Sequence, residues 1–314
     1  MRYIRFMQYG SKTRIFDMIK KLIIFTLAAA VALFARNPVK HFYQMDKKEI
    51  NQFIKELAAT GKTVTQKMQI ASETFLTTPY DLTCVGDGPY ALYDTKPLVN
   101  FQQTNCMALC EHVLALSISD SWENFFNNLQ QIRYKDGIIG MKTRNHYTMA
   151  DWLPQNQWLL EDVSRKIAGS YTRRMTRTIS HRKFFQQKGI TDMRDVLPDR
   201  TITIDYIPLD KVVTVQDKIH SGDVGAILFG NKKDIFAAHM FLIIEKEGRK
   251  YVREASMKAM TTLDTPLEKW FNDKLKQKPT RYAGISLMRV RDELNKPGKI
   301  IKPWEIQSIK EALP

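Results

Sequence analysis

The stretch Thr104-Asn105-Cys106-Met107-Ala108-Leu109-Cys110-Glu111-His112-Val113-Leu114-Ala115-Leu116 decides how this chain is read. Thr104 or Asn105 can cap a helix, since either side chain accepts from a free backbone N–H. Apolar residues follow at 109, 110, 113, 114, 116 and 118, the spacing of an apolar helix face. The pattern predicts a helix with Cys106 in its first turn. There the unpaired N–H groups and the positive end of the helix dipole favour a thiolate. Such a cysteine is a nucleophile candidate if a histidine meets it from elsewhere in the fold. The alternative reading is a small apolar filler. Cys110, one turn further on, reads as core, and Cys84, near a Gly-Asp-Gly turn, carries no functional expectation.

Working outward, 314 residues with 44% hydrophobic content suit a folded body of one large or two small domains. The formal charge is +15, which favours anionic partners such as acidic lipid or wall polymer. No nucleic-acid-binding motif accompanies that charge, so a nucleic-acid partner is not expected. Residues 22–35 form an apolar run behind Lys20 and Lys21, too short for an ordinary membrane span of about 20 residues. The run fits the core of a secretory signal, with Ala30-Val31-Ala32 or Ala35 as cleavage candidates. A retained N-terminal anchor is the alternative. Export is therefore expected, to the periplasm or the outside. Three cysteines, two of them on one helix, do not support a disulfide-stapled fold.

Helical signals come first. Asp46 caps a helix carrying Ile50, Phe53, Ile54 and Leu57, a second covers about 65–76, and another runs from about 121 to 135. Residues 144–152, rich in polar and aromatic side chains, read as a loop suited to a sugar or peptide ligand. The basic stretch 165–183 reads as a solvated face. Strand signals follow at 201–209 and 226–229, in a hairpin across 238–256, and at 284–291. Helices first and an antiparallel sheet after is an α+β order. The expected division is a leader or anchor over 1–35, a helical segment over 36–75, and one domain over 76–314.

His239 opens a strand, where an imidazole can point over a cleft and take a proton from a thiol. Glu254 lies on the partner strand, so its carboxylate can fix the ring and its tautomer. Cys106, His239 and Glu254 together make a nucleophile–base–orienter set.

The order of these pieces resembles the NlpC-type, papain-like cell-wall cysteine hydrolases. It looks most like their N-acetylmuramoyl-L-alanine amidase-like branch, formerly a domain of unknown function. The matching residues are Thr77-Thr78-Pro79-Tyr80, Thr104-Asn105-Cys106, Ile132-Arg133-Tyr134, Asp136-Gly137, Arg144-Asn145-His146-Tyr147, Asp151-Trp152, Gly222-Asp223, Ala238-His239 and Arg253-Glu254-Ala255-Ser256. They span about 76–290. The resemblance implies a papain-like fold and a cysteine amidase that cuts the N-acetylmuramoyl-L-alanine bond of muropeptides, with no cofactor and no metal. It implies Cys106 as attacker, His239 as base and Glu254 as orienter. Tyr80, Arg144, His146, Tyr147, Asp151 and Trp152 would line the substrate cleft. Two positions depart from the usual pattern: Asn105 stands where Asp is common, and Glu254 where His is common. A wall-binding protein on the same fold, or a peptidase cutting within the stem peptide, are the alternative functions.

Overall fold

The computed structural model describes residues 40–277 and 281–313, and those from His41 onward form one unit. The leader expected over 1–35 lies outside the described residues. No helix among the described residues is long and apolar enough to cross a membrane.

The helical half follows its caps. Helix α1 (Lys47–Ala59) starts at Asp46, whose carboxylate accepts from the Glu49 N–H while Glu49 bonds back to the Asp46 N–H. Helix α2 (Val64–Thr74) repeats the device with Thr63 and Gln66. Each cap satisfies donors that would otherwise be orphaned, worth about 1 kcal/mol. Helix α3 (Cys106–Ser117) is buried from Ala108 onward, and α4 (Trp122–Arg133) lays Phe125, Leu129 and Ile132 into the core.

The sheet is antiparallel throughout. Its strands are β1 (Leu160–Asp162), β2 (Arg173–Ile179), β3 (Arg200–Pro208), β4 (Val224–Phe229), β5 (Ala237–Lys246), β6 (Arg249–Ser256), β7 (Thr261–Pro266) and β8 (Tyr282–Val290). Their order is β2-β3-β8-β4-β5-β6-β7, with β1 also paired to β8. Short helices α5 (Ser164–Ala168), α6 (His181–Gln187), α7 (Leu267–Leu275) and α8 (Ile306–Glu311) fill the connections and the end.

Alternation along the strands separates two cores. Ala226, Leu228, Leu242 and Ile244 face α1–α4 on one side. Ile227, Phe241, Ile243 and Ile285 meet Trp270 and Phe271 of α7 on the other. Ile50, Ile54, Leu57 and Met68 belong to the first core, so α1 and α2 are built into the same body as α3.

Two expectations need correction. Residues 148–152, read as loop, form a buried π-helical turn, because Asp151 accepts from the Tyr147 N–H and closes the segment on itself. The basic stretch 165–183 is not simply a solvated face. It supplies edge strand β2, in which Arg177 is buried beneath its neighbours. Strands β1, β2 and β7 and helix α7 were not anticipated.

Candidate active site

Helix α3 starts at Cys106, and Asn105 is its cap: Asn105 Oδ1 accepts from the Ala108 N–H at 2.8 Å. The other end of the same amide donates to the Leu82 carbonyl at 3.0 Å and reaches Cys84 Sγ at 3.5 Å. Asn105 therefore ties the cysteine helix to the loop before it. An aspartate could make the cap but could not donate both of those bonds. This gives the Asn105 departure a structural use.

His239 comes from the other half of the chain. Between Ile227 and Leu228 the β4–β5 register slips by one residue, from Ile227↔His239 to Leu228↔Ala237. Ala238 is the extra residue of a bulge, a feature that re-aims neighbouring side chains and is frequent beside active sites. The His239 ring faces the Cys106 thiol closely enough that each shifts the other's pKa. Its Nε2 lies 2.6 Å from Glu254 Oε2. That contact is an ion pair rather than an aligned hydrogen bond, since Nε2 has no partner of good angular geometry. With Nε2 turned to the carboxylate, Nδ1 is the nitrogen left for the sulfur.

The register beyond Leu242↔Arg253 places Glu254 level with Phe241, two residues from His239 on the same face. Glu254 thus meets the histidine diagonally across the strands, a separation that long side chains bridge. Its second oxygen, Oε1, accepts from the Trp270 Nε1–H at 2.9 Å. Glu254 is 7% exposed and Trp270 3%. Lys274 sits 4.5 Å over the Trp270 ring.

The electrostatics follow from these contacts. Burial pushes the Cys106 thiol up, but His239 and its charge, with N–H groups of Met240 and Met107, bring it below the ordinary value. Burial alone would lower His239. Its contacts with Cys106 and Glu254 outweigh that and raise it to about 9. Glu254 is pushed up by burial and brought below the usual carboxylate range by His239, Trp270 and Lys274. The set favours thiolate and imidazolium together, a resting state able to attack a carbonyl and then hand over a proton. Cys110 shows the contrast: fully buried without a cationic neighbour, its thiol is raised well above the ordinary value.

Tyr80 stands at this site. A short parallel bridge joins Tyr80 to Thr104, two residues before Cys106. Burial, then the charges of Cys106, Cys84 and Asp81, push its phenol up to about 12, so it stays a donor.

The remaining residues expected in the cleft make the following contacts. Arg144 is paired to Asp87 and, at 2.9 Å, to Asp94, while the Tyr134 hydroxyl also donates to Asp87 at 2.8 Å. His146 Nε2 meets the Met141 carbonyl at 2.7 Å, its ring lies against Phe184, and burial lowers it to about 4. Asp151 is buried between His181 (2.8 Å) and Arg200 (2.5 Å), and Trp152 is fully buried. Tyr147 is half-buried against His181 and Phe184. Near the helix and sheet, Asp223 is clamped by Arg289 and Arg253 by Asp264. The structure thus gathers Cys106, His239, Glu254 and Tyr80, whereas Arg144, His146 and Asp151 are bound into scaffold contacts.

Trp270 was missed by sequence reasoning. Its signal was present, as Leu267, Trp270 and Phe271 at helical spacing behind Pro266, but that pattern reads equally as plain core packing. Among the described residues no cluster of histidine, cysteine and carboxylate side chains could hold a metal ion.

Comparison with known proteins bears on this geometry. No curated protein sequence matches the chain. Protein LPG0564 from Legionella pneumophila str. Philadelphia 1 shares the fold with a TM-score of 0.70 and 23% identity, over 82% of this chain and 98% of that one. An N-acetylmuramoyl-L-alanine amidase from Bacteroides uniformis is similar with a TM-score of 0.59 and 26% identity, over 73% and 99%. A putative xylanase from Bacteroides fragilis is similar with a TM-score of 0.55 and 25% identity, over 71% and 100%. A family model described as AmiA-like, N-acetylmuramoyl-L-alanine amidase-like, matches residues 70–279, a span holding Cys106, His239, Glu254 and Trp270. The chain therefore belongs to the AmiA-like, N-acetylmuramoyl-L-alanine amidase-like family, with a cell-wall amidase-like role.

Proposed function

We propose that this protein is a cysteine amidase that hydrolyses the N-acetylmuramoyl-L-alanine bond of peptidoglycan fragments, on a papain-like, NlpC-type arrangement. The observation that carries the reading is the unbroken chain of contacts from Cys106 through His239 to Glu254 at the start of a buried helix. Family membership supports the substrate class.

The Cys106 thiolate attacks the lactyl carbonyl carbon, forming a C–S bond and moving the carbonyl electrons onto oxygen. Backbone N–H groups at the α3 start are placed to stabilise that oxyanion. Collapse breaks the C–N bond, and the imidazolium of His239 gives its proton to the departing L-alanine nitrogen. A thioester remains. Neutral His239 then takes a proton from water, the hydroxide adds to the thioester carbon, and collapse expels the thiolate and frees the lactyl acid. Glu254, held on one side by Trp270, stabilises the imidazolium and keeps Nδ1 turned to the sulfur. Tyr80 would contact substrate beside the nucleophile. The short basic-then-apolar stretch over 20–35 supports export, with the periplasm or the exterior as the place of action.

Digestion of purified muropeptides, with products identified by mass, tests the proposal. Peptides beginning with free L-alanine, beside sugars ending in the lactyl acid, are expected. Sugars still carrying amino acids would point instead to a peptidase acting within the stem, and intact muropeptides to a binding protein.

A further inference from the structure

Strand β2 and the β4–β5 connection enclose an open groove of about 410 Å³, lined by Met175, Thr176, Arg177, Thr178, Gly230, Lys232 and Lys233. Arg177 is 4% exposed. Its Nη2 donates to the Phe229 carbonyl and its Nε to Met175 Sδ at 3.0 Å, but its Nη1 is buried with no partner. The guanidinium lies 5.6 Å from the Phe236 ring centroid and forms no ion pair among the described residues. An unmatched cationic donor costs free energy where it stands, so it marks a place where an acceptor is missing.

The surroundings have the chemistry of an anion site. Lys232 and Lys233 are exposed on the facing loop, again without an ion pair among the described residues. Asp234 is the carboxylate whose field reaches Arg177, and it lies exposed at the loop beyond the lysines. Three cations against one acid leave the groove positive.

We propose that Arg177, Lys232 and Lys233 form an anion-binding site for a carboxylate or phosphate group of a ligand lying along this groove. Phe229 and Phe236 are paired across β4 and β5, three residues before His239. At 3.3 Å per residue the site lies on the order of 10 Å along the strand from the reacting histidine. A ligand spanning both is short. The acidic stem peptide of a muropeptide is one source of such a carboxylate, and that source alone rests on the amidase reading.

The test titrates the full chain by calorimetry with inorganic phosphate in one arm and the acidic dipeptide L-alanyl-γ-D-glutamate in the other. Binding in at least one arm is expected, weakening with added salt. The double variant Lys232→Gln/Lys233→Gln, confined to exposed side chains, should loosen it about tenfold, equivalent to 1.4 kcal/mol. Binding of peptide but not phosphate assigns the site to a peptide carboxylate, and the converse to a phosphate group. Absence of heat in both arms, or unchanged affinity in the double variant, overturns the proposal. Because binding needs no turnover, Cys106→Ala protein should titrate as wild type does, so a failed amidase assay and a failed anion site are read separately.

Discussion

Two histidine–carboxylate pairs sit among the described residues in opposite settings. His239 meets Glu254 at 2.6 Å, and His181 meets Asp151 at 2.8 Å. The third partner separates them. Beside His239 stands a thiol, beside Asp151 the guanidinium of Arg200. In the first pair, positive charge on the ring is answered by the sulfur, the ion pair on which the proposed amidase chemistry rests. In the second, the carboxylate is engaged from both sides and the group closes a buried turn. A histidine beside an acid is thus not in itself a site. What matters is whether a third group is left with chemistry to perform.

The comparison can be broken most sharply at the sulfur. Cys106→Ala should reduce muropeptide cleavage at least about a thousandfold, while Cys110→Ala keeps activity. Equal activity in wild type and Cys106→Ala would remove the nucleophile assignment.

The two acids come next. Glu254→Gln should lower the rate on the order of a hundredfold with little change in the denaturation midpoint. Asp151→Asn should do the reverse, costing on the order of 1–3 kcal/mol of stability by weakening the charged acceptor that His181 and Arg200 share. Burial raises the Asp151 carboxyl, but His181 and Arg200 hold it below the usual range. The stability it contributes is therefore present above the ordinary carboxylate pKa and lost as pH falls through its folded value. Urea titrations at several pH values would check both limbs.

A pH profile sharpens the first pair. Alkylation of Cys106 by iodoacetamide should stay fast below about pH 8.5, where an ordinary thiol slows. Turnover should decline on the alkaline side near the His239 value of about 9, because the leaving amine needs the ring proton. An ordinary thiol titration would contradict the ion pair.

The smallest expected effect lies furthest from the sulfur. Trp270→Phe keeps the ring but removes the N–H donated to Glu254, and should lower kcat about tenfold through loss of roughly 1.4 kcal/mol. The alkaline limb should move to lower pH with it, which a purely packing role would not produce.

Much of the scaffold was legible because its signals are local. Asp46 and Asn105 fix helix starts through bonds within three residues. The strand over 226–229 and the hairpin over 238–256 follow from short apolar runs and a turn at Glu247-Gly248. Cys106, His239 and Glu254 could be nominated because their elements could. The buried turn at 148–152 and edge strand β2 could not, since each owes its form to partners remote in sequence: Asp151 to His181 and Arg200, β2 to β3.

By itself the sequence determined an α+β order, the cap that opens the cysteine helix and the hairpin that carries residues 239 and 254 on adjoining strands, since caps, short apolar runs and turns act over a few residues. Only the tertiary structure decided that Ala238 bulges to turn His239 to the sulfur, that Trp270 holds the other oxygen of Glu254, and that Arg144 and Asp151 are held in ion pairs. Those outcomes depend on which distant side chains burial brings within about 3 Å of one another, and no local pattern records that.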